Sequence, residues 1–213
     1  MLTIGRKGVN AGSNDTTTLG RPAGLIVEPA TNELYVSDGY DNKRVIVFDA
    51  ETGEYRRHWG AYGNVPDDDL DLGPFDPAAP SQQFRGPVHG IDLSRDGLIY
   101  VADRSGNRIQ VFRKDGAFVQ EGLVAPETRD LGTAYGVAVS PDQRWIYVND
   151  GSNNKIWILR RDVLETVGSL SSYGRNGGQI MSGHSMAVDS QGNIYVGETR
   201  GRRVQRWTLR GGA

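Results

Sequence analysis

Residues 90–112 read GIDLSRDGLIYVADRSGNRIQVF, and this stretch decides the fold. It opens with a short apolar run, Ile91–Leu93, and breaks at the polar turn Asp96-Gly97. Ile99 and Val101 then alternate with other residues, and after a second turn so do Ile109 and Val111. Period-two patterning with β-branched and aromatic residues predicts strands. Three further stretches align with it: GLIVEPATNELYVSDGYDNKRVIVF at 24–48, GVAVSPDQRWIYVNDGSNNKIWIL at 136–159 and SMAVDSQGNIYVGETRGRRVQRW at 185–207. The equivalent tyrosines are Tyr35, Tyr100, Tyr147 and Tyr195, spaced 65, 47 and 48 residues apart. A period of about 40–50 residues carrying several short strands signals a β-propeller.

The expected architecture is all-β, one propeller domain over 1–213. Its blades fall at about 22–60, 87–125, 135–174 and 184–210, with an insertion loop at 61–85 that absorbs the longer first spacing. A fourth, outer strand follows in three copies, as in Glu54–Gly60. The opening MLTIGRKG resembles such an outer strand and is expected to belong to a preceding unit or to complete the last one. Asp38-x-x-x-Asn42, Asp103-x-x-x-Asn107 and Asp150-x-x-x-Asn154 suit tight turns, since short Asp and Asn side chains bond nearby backbone and tolerate unusual φ. Glu198 and Arg202 replace that pair in the last copy, and Arg206 replaces a core-facing aliphatic, so one face there is expected to be poorly covered.

Bulk composition excludes several classes. With Lys+Arg 24 against Asp+Glu 26 there is no basic footprint for nucleic acid. Cysteine is absent, which removes disulfides and thiolate metal sites. No run approaches the roughly 18 apolar residues of a membrane span. MLTIGRKGVNAGS lacks the apolar centre of a signal peptide.

The strings LYVSDGYDNKRVIVF, QFRGPVHGIDL, YVADRSGNRIQVF and HSMAVDSQGNIYVGETRGRRVQRWTL resemble the NHL-repeat family. Within it they are similar to the peptidyl-α-hydroxyglycine α-amidating lyases and their bacterial relatives. The resemblance implies a six-bladed ring, of which this chain would supply about four blades. It also implies a zinc-dependent enzyme that splits a peptidyl-α-hydroxyglycine into a peptide amide and glyoxylate. His89 in PVHGI and His184 in SGHSM fall on two zinc ligands of that family. Tyr40 in SDGYDN falls on its catalytic tyrosine, and Arg104 in ADRSGN on an active-site arginine. Its third histidine and a second arginine would lie upstream of Met1. Ser185 stands where the family has an aspartate near a calcium site, so that site is not carried over.

The repeat register makes its own statement about place. The residues preceding the first strands are Ala23, His89, Tyr135 and His184, so histidine recurs in alternate blades. In a meander, strand two returns to the rim where strand one starts. The turns holding Tyr40 and Arg104, and the 61–85 insertion, should therefore share that rim with the histidines. Bland readings compete: histidines lining a wet channel, Tyr40 as a turn aromatic, Arg104 as a surface group or a partner of Asp103. His58 reads as a surface residue, and the acidic run 67–71 as a solvated loop, because it lacks the order of a calcium loop. The alternatives to a lyase are a non-catalytic propeller that holds a peptide or protein, and a metal-dependent propeller enzyme of another class such as a lactonase. A peptide-like small substrate or protein partner is expected, with no nucleic acid and no membrane span. Relatives of this family suggest an exported protein, and the open ends of an arc suggest self-association.

Overall fold

The computed structural model describes residues 2–129 and 131–208. Among the described residues, fifteen strands form four antiparallel sheets, each a simple meander. Blade 1 holds β1 (Gly24–Glu28), β2 (Glu33–Asp38), β3 (Arg44–Asp49) and β4 (Tyr55–Trp59). Blade 2 holds β5 (Val88–Leu93), β6 (Ile99–Asp103), β7 (Arg108–Phe112) and β8 (Phe118–Leu123). Blade 3 holds β9 (Gly136–Val139), β10 (Trp145–Asp150), β11 (Lys155–Arg160) and β12 (Thr166–Leu170). Blade 4 has three strands, β13 (Gly183–Val188), β14 (Ile194–Glu198) and β15 (Arg203–Trp207). The first strands β1, β5, β9 and β13 pack side by side in order, so they form the inner wall of a four-bladed β-propeller arc.

Alternation explains the stacking. In β6, Ile99 and Val101 join the cluster shared with blade 1, while Tyr100 and Ala102 join the cluster shared with blade 3. Every residue of β6 and β7 is buried, because blade 2 has a neighbour on each side. The end blades differ. On blade 1, Val36, Ile46 and Phe48 are covered by Ile4 and Leu19, but Leu25 stays 67% exposed. On blade 4, Val204 is 69% exposed and Arg206 lies beside it on the uncovered face.

The amino-terminal segment departs from expectation. Residues 2–23 contain no strand, and they lie over blade 1 instead of completing blade 4. Gly5, Gly8 and Gly12 all take positive φ, which breaks a ladder. The buried Arg44 guanidinium then gathers the carbonyls of Ser13, Asp15 and Thr18, which curls the chain.

That arginine belongs to a repeated device. Asp38 and Arg44 face each other across the β2–β3 register and pair at 2.9 Å with neither side chain exposed. Asp103 and Arg108 pair likewise at 2.9 Å, and Glu198 and Arg203 at 2.8 Å. Each carboxylate also accepts backbone N–H groups from the loop entering its own blade: Gly20 to Asp38, Arg85 and Gly86 to Asp103, Met181 to Glu198. Each arginine donates to carbonyls of the same loop, as Arg108 does to Gln83 and Arg203 to Gln179. The unit is a clamp that fixes the entry loop to the hairpin turn. Blade 3 lacks the arginine: Lys155 stands opposite Asp150, and the Trp157 indole and Asn153 donate instead. Burial pushes the Asp150 carboxyl up, as expected without a cation.

Candidate functional site at the mouth of the channel

Ala23, His89, Tyr135 and His184 line one cavity of about 180 Å³ at the start of the inner strands. Two of these four positions are made differently from the others. The β5–β6 register shifts between Val88 and Ile91, and the β13–β14 register shifts between Gly183 and Ser185. β1 and β9 pair without any shift. Both histidines thus sit at bulges, which re-aim a side chain away from the pleat. Close backbone approach at Gly90 holds the first bulge in place, since a Cβ there would meet the Gly136 Cα at 2.8 Å.

The β2–β3 turn brings in the third group. Gly39 lies against the Val88 backbone, where a Cβ would stand 2.1 Å from the Val88 nitrogen, and this contact sets Tyr40 beside β5. The Tyr40 hydroxyl is 3.1 Å from Nε2 of His89 and 3.2 Å from Nε2 of His184. The two imidazoles meet edge to face with centroids 4.7 Å apart, although they come from non-adjacent blades.

His89 is held from both sides. Its backbone carbonyl accepts the Ser37 hydroxyl of blade 1 at 2.6 Å. Its Nδ1 lies 2.5 Å from the Tyr135 carbonyl of blade 3, which accepts only if Nδ1 carries the ring proton. That fixes the tautomer and leaves a lone pair on Nε2. Burial holds the His89 ring down to about 4, with His184 and Arg104 adding to the effect, while burial and then Arg104 lower His184. Both rings are therefore neutral near pH 7. Arg104 lies over the Tyr135 ring at 4.4 Å and donates through Nε to the Leu131 carbonyl. It does not pair with Asp103, whose partner is Arg108. Arg21 stands over the Tyr40 ring at 5.2 Å, nearer solvent.

Among the described residues, no group of three or more His, Cys, Asp or Glu side chains is placed to hold a metal. His89 and His184 are a pair, and the third donor at the pair is the Tyr40 phenol. Their chemistry and spacing fit a zinc ion. Bonds of about 2.0–2.1 Å in a tetrahedral shell set neighbouring ligand atoms about 3.3 Å apart. The two distances from the Tyr40 oxygen, 3.1 and 3.2 Å, match such an edge. The one phenol proton satisfies the bare Nε2 of His89, whose tautomer is fixed. Without a cation, the trio is satisfied when His184 carries its proton on Nε2 and donates to the phenol oxygen.

Other nominated features lie elsewhere. His58 bonds Tyr55 and Asn14 on the outer edge of blade 1. The acidic run is more than a solvated loop, because Asp68 accepts the Ser13 amide at 2.7 Å and ties the amino-terminal segment to the insertion. Tyr135 acts through its carbonyl, which any residue would supply, and so its identity gave no signal. What pointed to it was its alignment with the two histidines.

Comparison with known proteins follows the same lines. The NHL repeat family matches residues 88–112, which include His89 and Arg104. The SMP-30/gluconolactonase/LRE-like region matches residues 121–213, which include His184. Peptidyl-glycine alpha-amidating monooxygenase B of Xenopus laevis is 26% identical over 202 residues, covering 88% of this chain and 20% of its own length. NHL repeat-containing protein 3 of Homo sapiens is 26% identical over 218 residues, covering 96% of this chain and 54% of its own. The chain thus spans about a fifth of the first relative and about half of the second. The WD40 β-propeller domain of Doa1 superposes with a TM-score of 0.58 at 11% identity, over 92% of this chain and 52% of that one. The matched repeat and the relatives are consistent with the NHL-repeat family, and the fold is that of a β-propeller.

Proposed function

We propose that the mouth is a zinc-dependent lyase site for a peptidyl-α-hydroxyglycine, set in a six-bladed ring. The observation that carries this reading is the convergence of two neutral imidazole Nε2 atoms and the Tyr40 hydroxyl on one point. Alternate blades of a six-bladed ring stand about 120° apart, so a third donor from the remaining alternate blade would face the pair. Within this chain His89 and His184 would supply two of the donors, with Tyr40 beside the open position, and the bound ion would lower the pKa of the substrate hydroxyl.

The chain's own residues then divide the work. Tyr40, as the phenolate that a bound ion would favour, accepts the hydroxyl proton as the C–N bond breaks and the C–O bond becomes a carbonyl. Tyr40 returns that proton to the leaving nitrogen, which gives a peptide amide and glyoxylate and restores the phenolate. Arg104 binds the carboxylate, with its guanidinium plane set by the Tyr135 ring and the Leu131 carbonyl. The Tyr135 carbonyl keeps the His89 lone pair aimed at the mouth.

The direct test is turnover of a peptidyl-α-hydroxyglycine by zinc-supplied protein, beside Tyr40→Phe. General acid–base action by Tyr40 predicts a loss of about 10²–10⁴-fold in kcat. Unchanged kcat in Tyr40→Phe would contradict the role, and no turnover by the wild type would contradict the reaction. The gluconolactonase-like match over residues 121–213 supports a second reading, hydrolysis of a lactone at the same mouth. Offering both substrates to one preparation separates the two. A preparation that turns over neither, yet retains a peptide at the mouth, would be a binding propeller.

A further inference from the structure

Crevices between successive blades repeat one another at the rim opposite the mouth, where the second strands begin, and they are not filled alike. Between blades 1 and 2, the Glu33 carboxylate accepts the Tyr35 hydroxyl at 2.5 Å and the two arms of the Arg57 guanidinium at 2.5 and 2.8 Å. Arg57 also donates to the Lys114 carbonyl of blade 2 at 2.6 Å. The chain closes this crevice with its own carboxylate and its own fork of donors.

Between blades 2 and 3 the same places are occupied differently. Tyr100 stands where Tyr35 stands, opposite Val111 on the third strand as Tyr35 is opposite Val47. Leu98 takes the position of Glu33, and Gln120, opposite Val111, takes that of Arg57, opposite Val47. Those two positions lose the carboxylate and the fork while the tyrosine is kept, and a fork forms only farther out, where Arg161 holds the half-exposed Asp96 at 2.9 and 2.6 Å. A cavity of about 460 Å³ opens there, within the usual range for small-molecule sites.

Its lining has one consistent chemistry. Tyr100, only 1% exposed, Gln120, Arg144 and Arg161 supply hydrogen-bond donors, and Leu98 and Trp145 supply apolar walls. Arg161 is paired at its outer edge with Asp96 at 2.6 Å, and Arg160 with Asp162 at 2.7 Å. Arg144 forms no ion pair among the described residues and lies over the Trp145 ring at 5.6 Å. The positive charge left over is that of a single guanidinium.

We propose that this crevice binds an organic carboxylate with an apolar body. The carboxylate takes the place that Glu33 holds one crevice away, accepting from Tyr100 and Arg144. The body lies against Leu98 and Trp145. A planar carboxylate suits a fork of N–H donors, and the neighbouring crevice displays that very arrangement within the chain. The site lies at the far end of the strands from the mouth, and so it is independent of any chemistry there.

The test uses benzoate as the probe, followed by calorimetric titration of the whole chain, with inorganic phosphate and benzyl alcohol as comparators. Benzoate should bind at least tenfold more tightly than either. Arg144→Gln, in an exposed turn, should weaken it by about tenfold or more. The double variant Leu98→Glu/Gln120→Arg rebuilds the Glu33–Arg57 arrangement in place and should abolish binding with circular dichroism unchanged. Absence of benzoate binding at millimolar concentration would overturn the proposal. So would phosphate binding as tightly as benzoate, or full retention of benzoate by Arg144→Gln; the single variant decides the matter even if the double variant fails to fold.

Discussion

Two sets of polar side chains gather at the same rim of the blades and obey opposite rules. At the clamp, each blade carries an acid at the end of its second strand: Asp38, Asp103, Asp150 and Glu198. All four are buried, and three meet an arginine across the hairpin. At the mouth, the four equivalent positions are Ala23, His89, Tyr135 and His184. The clamp repeats because each blade must tie down its own incoming loop. The mouth varies because the four positions act together on one space. Repetition in a propeller therefore marks what every blade needs, and departure from it marks what the assembly does.

The comparison breaks most visibly through stability. Arg108→Met leaves Asp103 buried without its cation and should cost about 3–5 kcal/mol in urea unfolding. His89→Gln, at the mouth, should cost much less. Equal losses would erase the distinction between clamp and mouth.

A second prediction follows the crevices through pH. The Arg57 fork, with Tyr35, holds the Glu33 carboxyl down to about 2 from 4.5. The folded value lies below the unfolded one, so this group stabilises above about pH 4.5 and its contribution is lost as pH falls toward 2. Glu33→Leu, which copies Leu98, should flatten that acid limb of the stability profile. An unchanged limb would mean that the closed crevice contributes nothing the open one lacks.

The smallest effect concerns the incomplete clamp. Lys155 faces Asp150 in register but bonds the Ser171 carbonyl at 3.4 Å instead. Burial raises the Asp150 carboxyl above 3.8, so the folded state holds its proton and this group lowers stability as pH rises through that range. Lys155→Arg should add about 1 kcal/mol near neutral pH by completing the clamp. A loss of stability would show that Trp157 and Asn153 already fill the arginine's place.

Much of this was legible in the residues, for identifiable reasons. Alternation at Ile99–Val101 and Ile109–Val111 exposes strand identity directly, because each face must meet a neighbouring blade. The alignment of Ala23, His89, Tyr135 and His184 follows from the repeat register alone. The bulges at His89 and His184 were not legible, since one extra residue leaves no compositional trace. Nor were the clamp arginines, because Arg44 and Arg108 read as ordinary first residues of strands until their partners are seen. MLTIGRKG misled because its alternation is that of a strand, whereas its glycines and Arg44 impose a curl.

Zinc content tests the central claim most directly. The protein would be loaded with zinc, dialysed, and assayed for metal beside a His89→Ala/His184→Ala double variant. The convergence of both histidines on Tyr40 predicts close to one zinc per chain in the wild type and none in the variant. A wild type that retains no zinc after loading, or a double variant that retains as much, would contradict it.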